Sequence, residues 1–206
     1  MYDTNTLKVK KRYDRASFIR DSVDYPMEKL YYKRWRKKLL SHLKCDVLEI
    51  GIGTGKNLEF YGNKANVTGI DISKGMLSRA RINAKGLGRE FNLLIADAQN
   101  LMFADNSFDF VIGFLVLCSI PDPVRALKEM ARVVKPGGKI ILVEHVLSKS
   151  MFIALIENMF NPFPKYLFGF EINRDTRRNI EKAGLKMIED KNLALFDVFR
   201  LFVAGK

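Results

Sequence analysis

The chain of 206 residues has only two cysteines, Cys45 and Cys118, and two histidines, His42 and His145. The cysteines are far apart and lie in apolar runs, which predicts two free thiols and argues against a disulfide framework. With so few thiol and imidazole ligands, we expect neither a zinc cluster nor any other metal site.

Long uncharged apolar runs are also missing. No stretch of about 18 apolar residues is free of charge, so the sequence predicts no transmembrane helix. Residues 1–10 are polar and lack the apolar centre of a signal peptide. Together with the low cysteine content, this predicts a cytoplasmic protein that can contact membranes only peripherally.

Basic residues, in contrast, are abundant and unevenly placed. Residues 1–44 hold 13 Lys and Arg against 5 Asp and Glu, a net charge of +8, within a total of +12. Such a segment suits an anionic membrane surface or a nucleic acid, or it is a solvated face with no partner.

The same 44 residues predict a basic helical N-terminal arm. Residues 1–12 are expected to be a flexible leader, and residues 17–43 a helix. Apolar side chains recur in this helix at four-residue spacing, at Met27, Tyr31, Trp35, Leu39 and Leu43. This stripe can pack on a domain or lie in a bilayer interface.

From residue 45 to residue 206, predicted strands and helices alternate. The predicted strands are 47–50, 67–72, 91–96, 108–117 and 139–145, followed by an antiparallel pair at 185–189 and 197–203. Helices are predicted at 74–84, 123–134 and 175–183. Short connections in this order predict an α/β, Rossmann-like domain with a seven-stranded, mostly parallel sheet and helices on both faces.

A glycine-rich loop follows the first predicted strand. Gly51, Gly53 and Gly55 allow a sharp turn and close approach of the backbone to a ligand, and the loop is expected to open a helix. A dinucleotide-binding fingerprint would need a small residue at position 56, where this chain has Lys56. The loop therefore differs from the dehydrogenase pattern.

Acidic residues end the next two predicted strands. Asp71 can accept hydrogen bonds from both hydroxyls of a ribose, although a role near a helix N-cap is the alternative because Ser73 follows. Asp97 can accept from an adenine amino group, with Met76 and Ala98 as apolar walls, or it is a turn residue. The carboxyl ends of parallel strands meet at one edge of a sheet, which predicts a common crevice that also contains Phe114 and His145.

These motifs resemble the class I S-adenosylmethionine-dependent methyltransferases. The matching stretches are Val47–Gly55, Gly69–Ser73 with Met76-Leu77, Ala96–Ala98 and Arg132–Lys139. The resemblance implies that fold, S-adenosylmethionine as cofactor, and in-line methyl transfer without a metal. It implies the cofactor-binding residues Glu49, Gly51, Gly53, Gly55, Asp71, Ile72, Met76, Asp97, Ala98, Phe114 and Tyr13. Tyr25 and Tyr32 are further arm residues that could close over the cofactor.

Within that superfamily, residues 103–109 resemble the ubiquinone and menaquinone C-methyltransferases and the bacterial phosphatidylethanolamine N-methyltransferases. Residues 115–119, 144–146 and 167–185 resemble the membrane-associated thiol methyltransferases, but a basic arm stands in place of their hydrophobic anchor. The resemblance thus implies a small-molecule or lipid-like acceptor: a phospholipid amine, a thiol or a quinone precursor.

Residues 147–173 form an apolar insertion that is a candidate substrate cap. Six of these 27 residues are aromatic, at positions 152, 160, 163, 166, 168 and 170. An apolar cap favours a hydrophobic acceptor, and the alternative is a helix that only packs on the sheet.

His145 is the candidate general base, because an ordinary imidazole titrates near neutral pH. The alternative is a structural histidine. Glu144 should point to the opposite face of the strand, and Glu49 is expected to orient the glycine loop.

The sequence is also compatible with functions of other classes. An RNA methyltransferase would use the basic arm for phosphates, although the aromatic residues are not interleaved with basic ones as a base-stacking surface requires. A non-catalytic binding module and a dehydrogenase remain open as well.

Overall fold

A computed structural model describes residues 2–162, 166, 169–195 and 197–206. Seven strands form one sheet in the order β3-β2-β1-β4-β5-β7-β6, and only β7 runs antiparallel to its neighbours. The strands are β1 (Asp46–Ile50), β2 (Asn66–Asp71), β3 (Asn92–Ile95), β4 (Phe108–Phe114), β5 (Val134–His145), β6 (Lys186–Ala194) and β7 (Phe199–Gly205). The predicted seven-stranded, mostly parallel sheet is confirmed.

The register of the parallel strands brings the predicted site to one edge. Ile50 of β1 lies beside Ile70 of β2 and Gly113 of β4, and Asp71 lies beside Ile95. The segments that leave these strands therefore begin side by side.

Helices cover both faces of the sheet. On one face, α5 (Pro123–Val133) and α7 (Thr176–Lys182) pack on Leu48, Val111 and Leu142. On the other face, α4 (Lys74–Gly86) and α3 (Lys33–Leu40) pack on Val67 and Ile112. A further helix, α6 (Met151–Phe160), lies in the insertion.

The N-terminal segment is more ordered than predicted. The prediction of a flexible leader is wrong, because these residues form most of α1 (Thr4–Ala16). The carboxylate of Asp3 caps the first turn of this helix. The single helix expected over 17–43 is interrupted: α2 (Arg20–Met27) starts after a turn, a π-helical turn (Glu28–Tyr32) follows Pro26, and α3 ends at Leu40. Proline cannot donate its backbone hydrogen bond, which disturbs the regular ladder.

The apolar stripe of the arm packs on the sheet. Trp35 and Leu43 are buried, and Met27, Tyr31 and Leu39 pack beside them in the same core as β2 and α4. The division of the chain at residue 44 remains a prediction.

The glycine loop does not open an α-helix as expected. Only a 3-10 turn (Leu58–Phe60) separates it from β2. Three strand limits also differ by three residues or more. β4 ends at Phe114 rather than residue 117, β5 begins at Val134, directly after α5, rather than at residue 139, and β6 ends at Ala194 rather than residue 189.

Candidate functional site

The carboxyl edge of the sheet holds a deep cavity with about 1050 Å³ of empty space, counting the part open to solvent. Ten of the eleven predicted cofactor-binding residues line it: Tyr13, Glu49, Gly51, Gly53, Asp71, Ile72, Met76, Asp97, Ala98 and Phe114. Gly55 does not line the cavity, and neither does His145.

Each of the three glycines of the loop occupies its position for a different steric reason. All have positive φ, at 65°, 58° and 83° for Gly51, Gly53 and Gly55. A Cβ on Gly51 would lie 2.2 Å from Val116 Cγ2, and one on Gly55 would lie 2.9 Å from Leu58 Cδ1. A Cβ on Gly53 would meet nothing closer than the Gly51 carbonyl at 4.0 Å. The space above Gly53 is therefore open to a ligand.

Asp71 joins the loop to the end of β2. Its Oδ2 accepts from the Gly53 amide at 2.9 Å, and its Oδ1 accepts from the Ser73 amide at 2.8 Å. Burial raises the pKa of Asp71 to about 6. Each carboxylate oxygen can accept a second hydrogen bond, so a ligand hydroxyl can still be bound. Ser73, rather than Asp71, is the N-cap of α4.

Asp97 forms a turn and lines the cavity as well. Its Oδ1 accepts from the Gln99 backbone amide at 2.9 Å and from Gln99 Nε2 at 3.0 Å. Gln99 Nε2 also donates to Thr6 Oγ1 of α1 at 3.1 Å. The first helix is thereby tied to the rim of the cavity, a contact that the sequence did not predict.

The far end of the cavity is built on buried Glu49. Its two oxygens accept from Asn57 Nδ2 at 2.7 Å and Tyr61 OH at 2.8 Å, and burial raises its pKa to about 7. Glu49 thus holds the chain after the glycine loop, and its role in orienting the loop for a ligand remains a prediction.

Arg36 is a buried cation of this wall that sequence reasoning missed. Its Nε donates to Asn57 Oδ1 at 2.5 Å, it pairs with Glu28, and its guanidinium lies 4.5 Å from the ring centre of Phe114. The cation is thus fixed beside the ring at the end of β4. Nothing in the sequence distinguishes Arg36 from the neighbouring basic residues, which are mostly exposed.

A second cavity, with about 870 Å³ of empty space, adjoins the first. It is mainly apolar, and the lining includes Ile19, Val23, Phe170 and Phe199. Five residues line both cavities: Tyr13, Arg20, Asp24, Tyr32 and Leu115. The two cavities therefore adjoin at these five side chains, which we call the shared wall.

Leu115 lies on the shared wall in a strained conformation. Its φ is 55°, and its amide donates to the Val143 carbonyl at 2.7 Å. A left-handed conformation costs a non-glycine residue about 1–2 kcal/mol. Strain of this kind is concentrated at functional sites.

His145 lies in the second cavity. Burial lowers the pKa of His145 to about 4, so the ring is neutral near pH 7. Its Nδ1 has no hydrogen-bond partner among the described residues, and its Nε2 is 4.0 Å from Glu157 Oε1. Glu144 points to the other face, where it accepts from the Val116 and Leu117 amides.

The arm tyrosines differ in position. Tyr13 and Tyr32 line both cavities, and burial is the largest cause of the raised pKa of Tyr13, about 12. Tyr25 does not close over the site, because it is exposed and lines neither cavity. Arg20 and Asp24 of the shared wall were not predicted.

The insertion presents an apolar surface to solvent. On α6, Met151 is 88% exposed, Phe152 72%, Leu155 66% and Met159 65%. These apolar side chains of α6 therefore do not pack on the sheet, and the role of the insertion as a substrate cap remains a prediction. Its buried residue is Glu157, whose Oε2 accepts from the Ser148 amide at 2.8 Å beside the second cavity. Phe163 and Phe168 of the predicted cap lie outside the described residues.

No helix within the described residues is long and apolar enough to cross a membrane.

Comparisons with known proteins place this geometry in a family. Residues 48–142 match the model of the methyltransferase domain. The chain is 34% identical over 177 residues to phosphatidylethanolamine N-methyltransferase of Cereibacter sphaeroides, covering 77% of this chain and 87% of that protein.

Two other relatives are also 34% identical. Thiol S-methyltransferase of Rattus norvegicus matches over 149 residues (69% of this chain, 61% of that protein), so this chain spans less than two thirds of it. Demethylmenaquinone methyltransferase of Staphylococcus epidermidis matches over 170 residues (78% and 67%). A solved methyltransferase from Aquifex aeolicus has the same fold, with a TM-score of 0.66 at 20% identity, covering 99% of this chain and 98% of that one.

Proposed function

Because this chain belongs to the class I S-adenosylmethionine-dependent methyltransferases, we propose that it methylates a lipid-like or small apolar acceptor bound in the second cavity. The cofactor is S-adenosylmethionine. It supplies a methyl group on a sulfonium, whose leaving group is a neutral thioether.

The first cavity fits this cofactor. The open space over Gly53 admits a ligand against the loop backbone, and the oxygens of Asp71 can accept from the ribose hydroxyls. The adenine would lie against the apolar side chains of Met76, Ala98 and Ile72. Its amino group would donate to Asp97 at the rim of the cavity.

Arg36 and Glu49 are the charged groups for the methionine end. Arg36 beside Phe114 can bind the carboxylate, and Glu49 orients the loop beneath it. In this orientation the sulfonium lies toward the shared wall, where Tyr13 and Leu115 border both cavities.

The protein then acts mainly by orientation. It holds the acceptor atom, the methyl carbon and the sulfur in line, which can contribute about 7–11 kcal/mol to lowering the barrier. A neutral His145 with an unpartnered Nδ1 can accept a proton or a hydrogen bond from the acceptor. This makes His145 the candidate base, although its lowered pKa makes it a weak one.

The observation that carries the proposal is the apolar surface next to the second cavity. The exposed side chains of α6 are mostly apolar, and Ile19 and Val23 at the cavity are 53% and 54% exposed. Exposed apolar clusters of this kind mark contact sites for proteins, membranes or ligands. The exposed basic residues of α3 add affinity for anionic head groups.

The test is methyl transfer from labelled S-adenosylmethionine to a panel: vesicles with an aminophospholipid, vesicles with a demethylated quinone, an alkyl thiol and tRNA. We expect transfer to an acceptor presented in vesicles or of comparable apolarity. Transfer to tRNA alone would overturn the proposal and favour an RNA substrate bound by the basic arm.

A matched pair of variants tests the surface. Phe152→Ser combined with Leu155→Ser should lower transfer to the vesicle acceptor about tenfold, because apolar contact area with the membrane is lost, with unchanged affinity for the cofactor. The control is Ile82→Ser, which removes an apolar side chain that is 70% exposed on α4. Equal losses in the two variants would contradict the role of α6.

A further inference from the structure

Resting on the proposed function, we infer that Arg20 and Asp24 select the acceptor as an amine that carries a nearby anionic group, such as an aminophosphodiester. The amine would bind Asp24, and the anion would bind Arg20. The acceptor atom would then be nitrogen rather than sulfur or carbon.

The two residues form an ion pair at the junction of the cavities. They lie one helical turn apart in α2, and Arg20 Nε donates to Asp24 Oδ2 at 2.8 Å. Both line both cavities, and their side chains are about a quarter exposed (23% and 25%). Among the described residues, neither Asp24 Oδ1 nor the terminal nitrogens of Arg20 have another hydrogen-bond partner. The two charges partner each other, and the Arg20 guanidinium also lies 6.0 Å and 5.8 Å from the ring centres of Tyr13 and Phe170. Asp24 Oδ1 and the terminal nitrogens of Arg20 are therefore the atoms that a ligand with both signs of charge can still bind.

The surroundings favour a cationic amine. The second cavity is lined by the rings of Tyr13, Tyr32, Phe170 and Phe199. Aromatic faces beside a carboxylate bind ammonium groups, including methylated ones that can no longer donate hydrogen bonds. A thiol or a quinone precursor has no group that would use Asp24. A thiol or a neutral ring would bring no charged group of its own to this ion pair.

The arrangement also suits the reaction. An acceptor ammonium first loses one proton, which passes to solvent directly or through His145 in the same cavity. Its nitrogen lone pair then forms the bond to the methyl carbon while the carbon–sulfur bond breaks, and the electron pair leaves with the sulfur. The product is again a cation that Asp24 and the rings can hold.

The experiment compares wild type, Asp24→Asn, and the swapped pair Arg20→Asp with Asp24→Arg. Substrates are aminophospholipid vesicles, the free phosphoethanolamine head group, an alkyl thiol and demethylated quinone vesicles. We expect methylation of an amine, with KM raised about tenfold or more in Asp24→Asn, because a charge-assisted contact is lost. Affinity for S-adenosylhomocysteine, which carries no sulfonium charge beside Asp24, should change less than about threefold in the same variant.

The swapped pair separates recognition from structure. It retains an ion pair at the same spacing, so a merely structural role predicts recovery of wild-type KM. Recognition predicts that the swapped enzyme folds, binds cofactor and still has the raised KM. Glu181→Gln is the matched control, since it removes an exposed carboxylate from another Arg–carboxylate pair at the same spacing, remote from both cavities.

The outcomes are distinct. Methylation of the vesicle lipid but not of the free head group assigns the lipid as the source of the amine, and the reverse assigns the soluble compound. Methylation of the thiol or quinone but not the amine overturns this inference while leaving the proposed function in place. Transfer to none of these acceptors would defeat both.

Discussion

Alanine substitutions at Gly51 and Gly53 should both be harmful, but in a different order: Gly51→Ala should lower stability more, and Gly53→Ala should lower cofactor affinity more. Both residues have a left-handed backbone, which costs alanine about 1–2 kcal/mol. Only at Gly51 does the new methyl group collide with a neighbour, 2.2 Å from Val116 Cγ2. Overpacking of this kind costs about 1–3 kcal/mol more. For a chain of this length each kcal/mol lowers Tm by about 2–4 °C.

We therefore expect Gly51→Ala to melt about 2–12 °C below Gly53→Ala. Gly53→Ala places its methyl group in the open space of the first cavity, so it should weaken binding of S-adenosylhomocysteine at least about tenfold. Gly51→Ala should weaken it less when the folded fraction is taken into account. Calorimetric melting and titration calorimetry measure both effects. Equal melting temperatures, or full affinity in Gly53→Ala, would refute the steric reasoning.

Other substitutions test single contacts. Asp71→Ala should abolish measurable cofactor binding in titration calorimetry, since it removes the acceptor that faces the ribose and also frees two amides; wild-type affinity would refute that role. Arg36→Met should weaken binding of S-adenosylmethionine about tenfold but leave binding of adenosine unchanged, because only the former has a carboxylate. Because the folded pKa of His145 lies below the unfolded value near 6.5, its neutral form stabilises the fold above that pH, and this contribution is lost as pH falls toward 4. The free energy of unfolding in urea should therefore fall less for His145→Gln than for wild type between pH 7 and pH 4.5, by about 2–3 kcal/mol. Parallel pH dependences of this free energy in the two proteins would contradict the lowered pKa.

The sheet and its carboxyl edge were predictable because the evidence is local. Buried strands of Val, Leu and Ile alternate with helices, and each strand end carries its own signal, such as Gly51 or Asp71. Parallel topology then places those ends together without knowledge of any tertiary contact. The arm gave no such signal at its start, because α1 is polar and its order comes from distant partners: Asp14 accepts from Ser73 Oγ at 2.6 Å.

The residues that line the second cavity, where the acceptor is proposed to bind, were predictable only in part. The chain returns the arm to the sheet edge, so Arg20, Asp24 and Arg36 line cavities together with residues from distant parts of the sequence; Arg20 and Phe199, for example, are 179 positions apart. Nothing in the local sequence separates these side chains from the exposed ones beside them. His145 was placed at the correct edge, but the division of the crevice into two cavities depends on Tyr13, Tyr32 and Leu115, which no periodicity reveals.

The arrangement of two ligands across a shared wall is tested most directly by a crystal structure of the protein with S-adenosylhomocysteine. We expect the adenine between Met76 and Ala98, the ribose hydroxyls on Asp71, and the thioether sulfur beside Leu115, facing the second cavity. A cofactor whose sulfur points away from that wall, or whose ribose does not contact Asp71, would contradict the account.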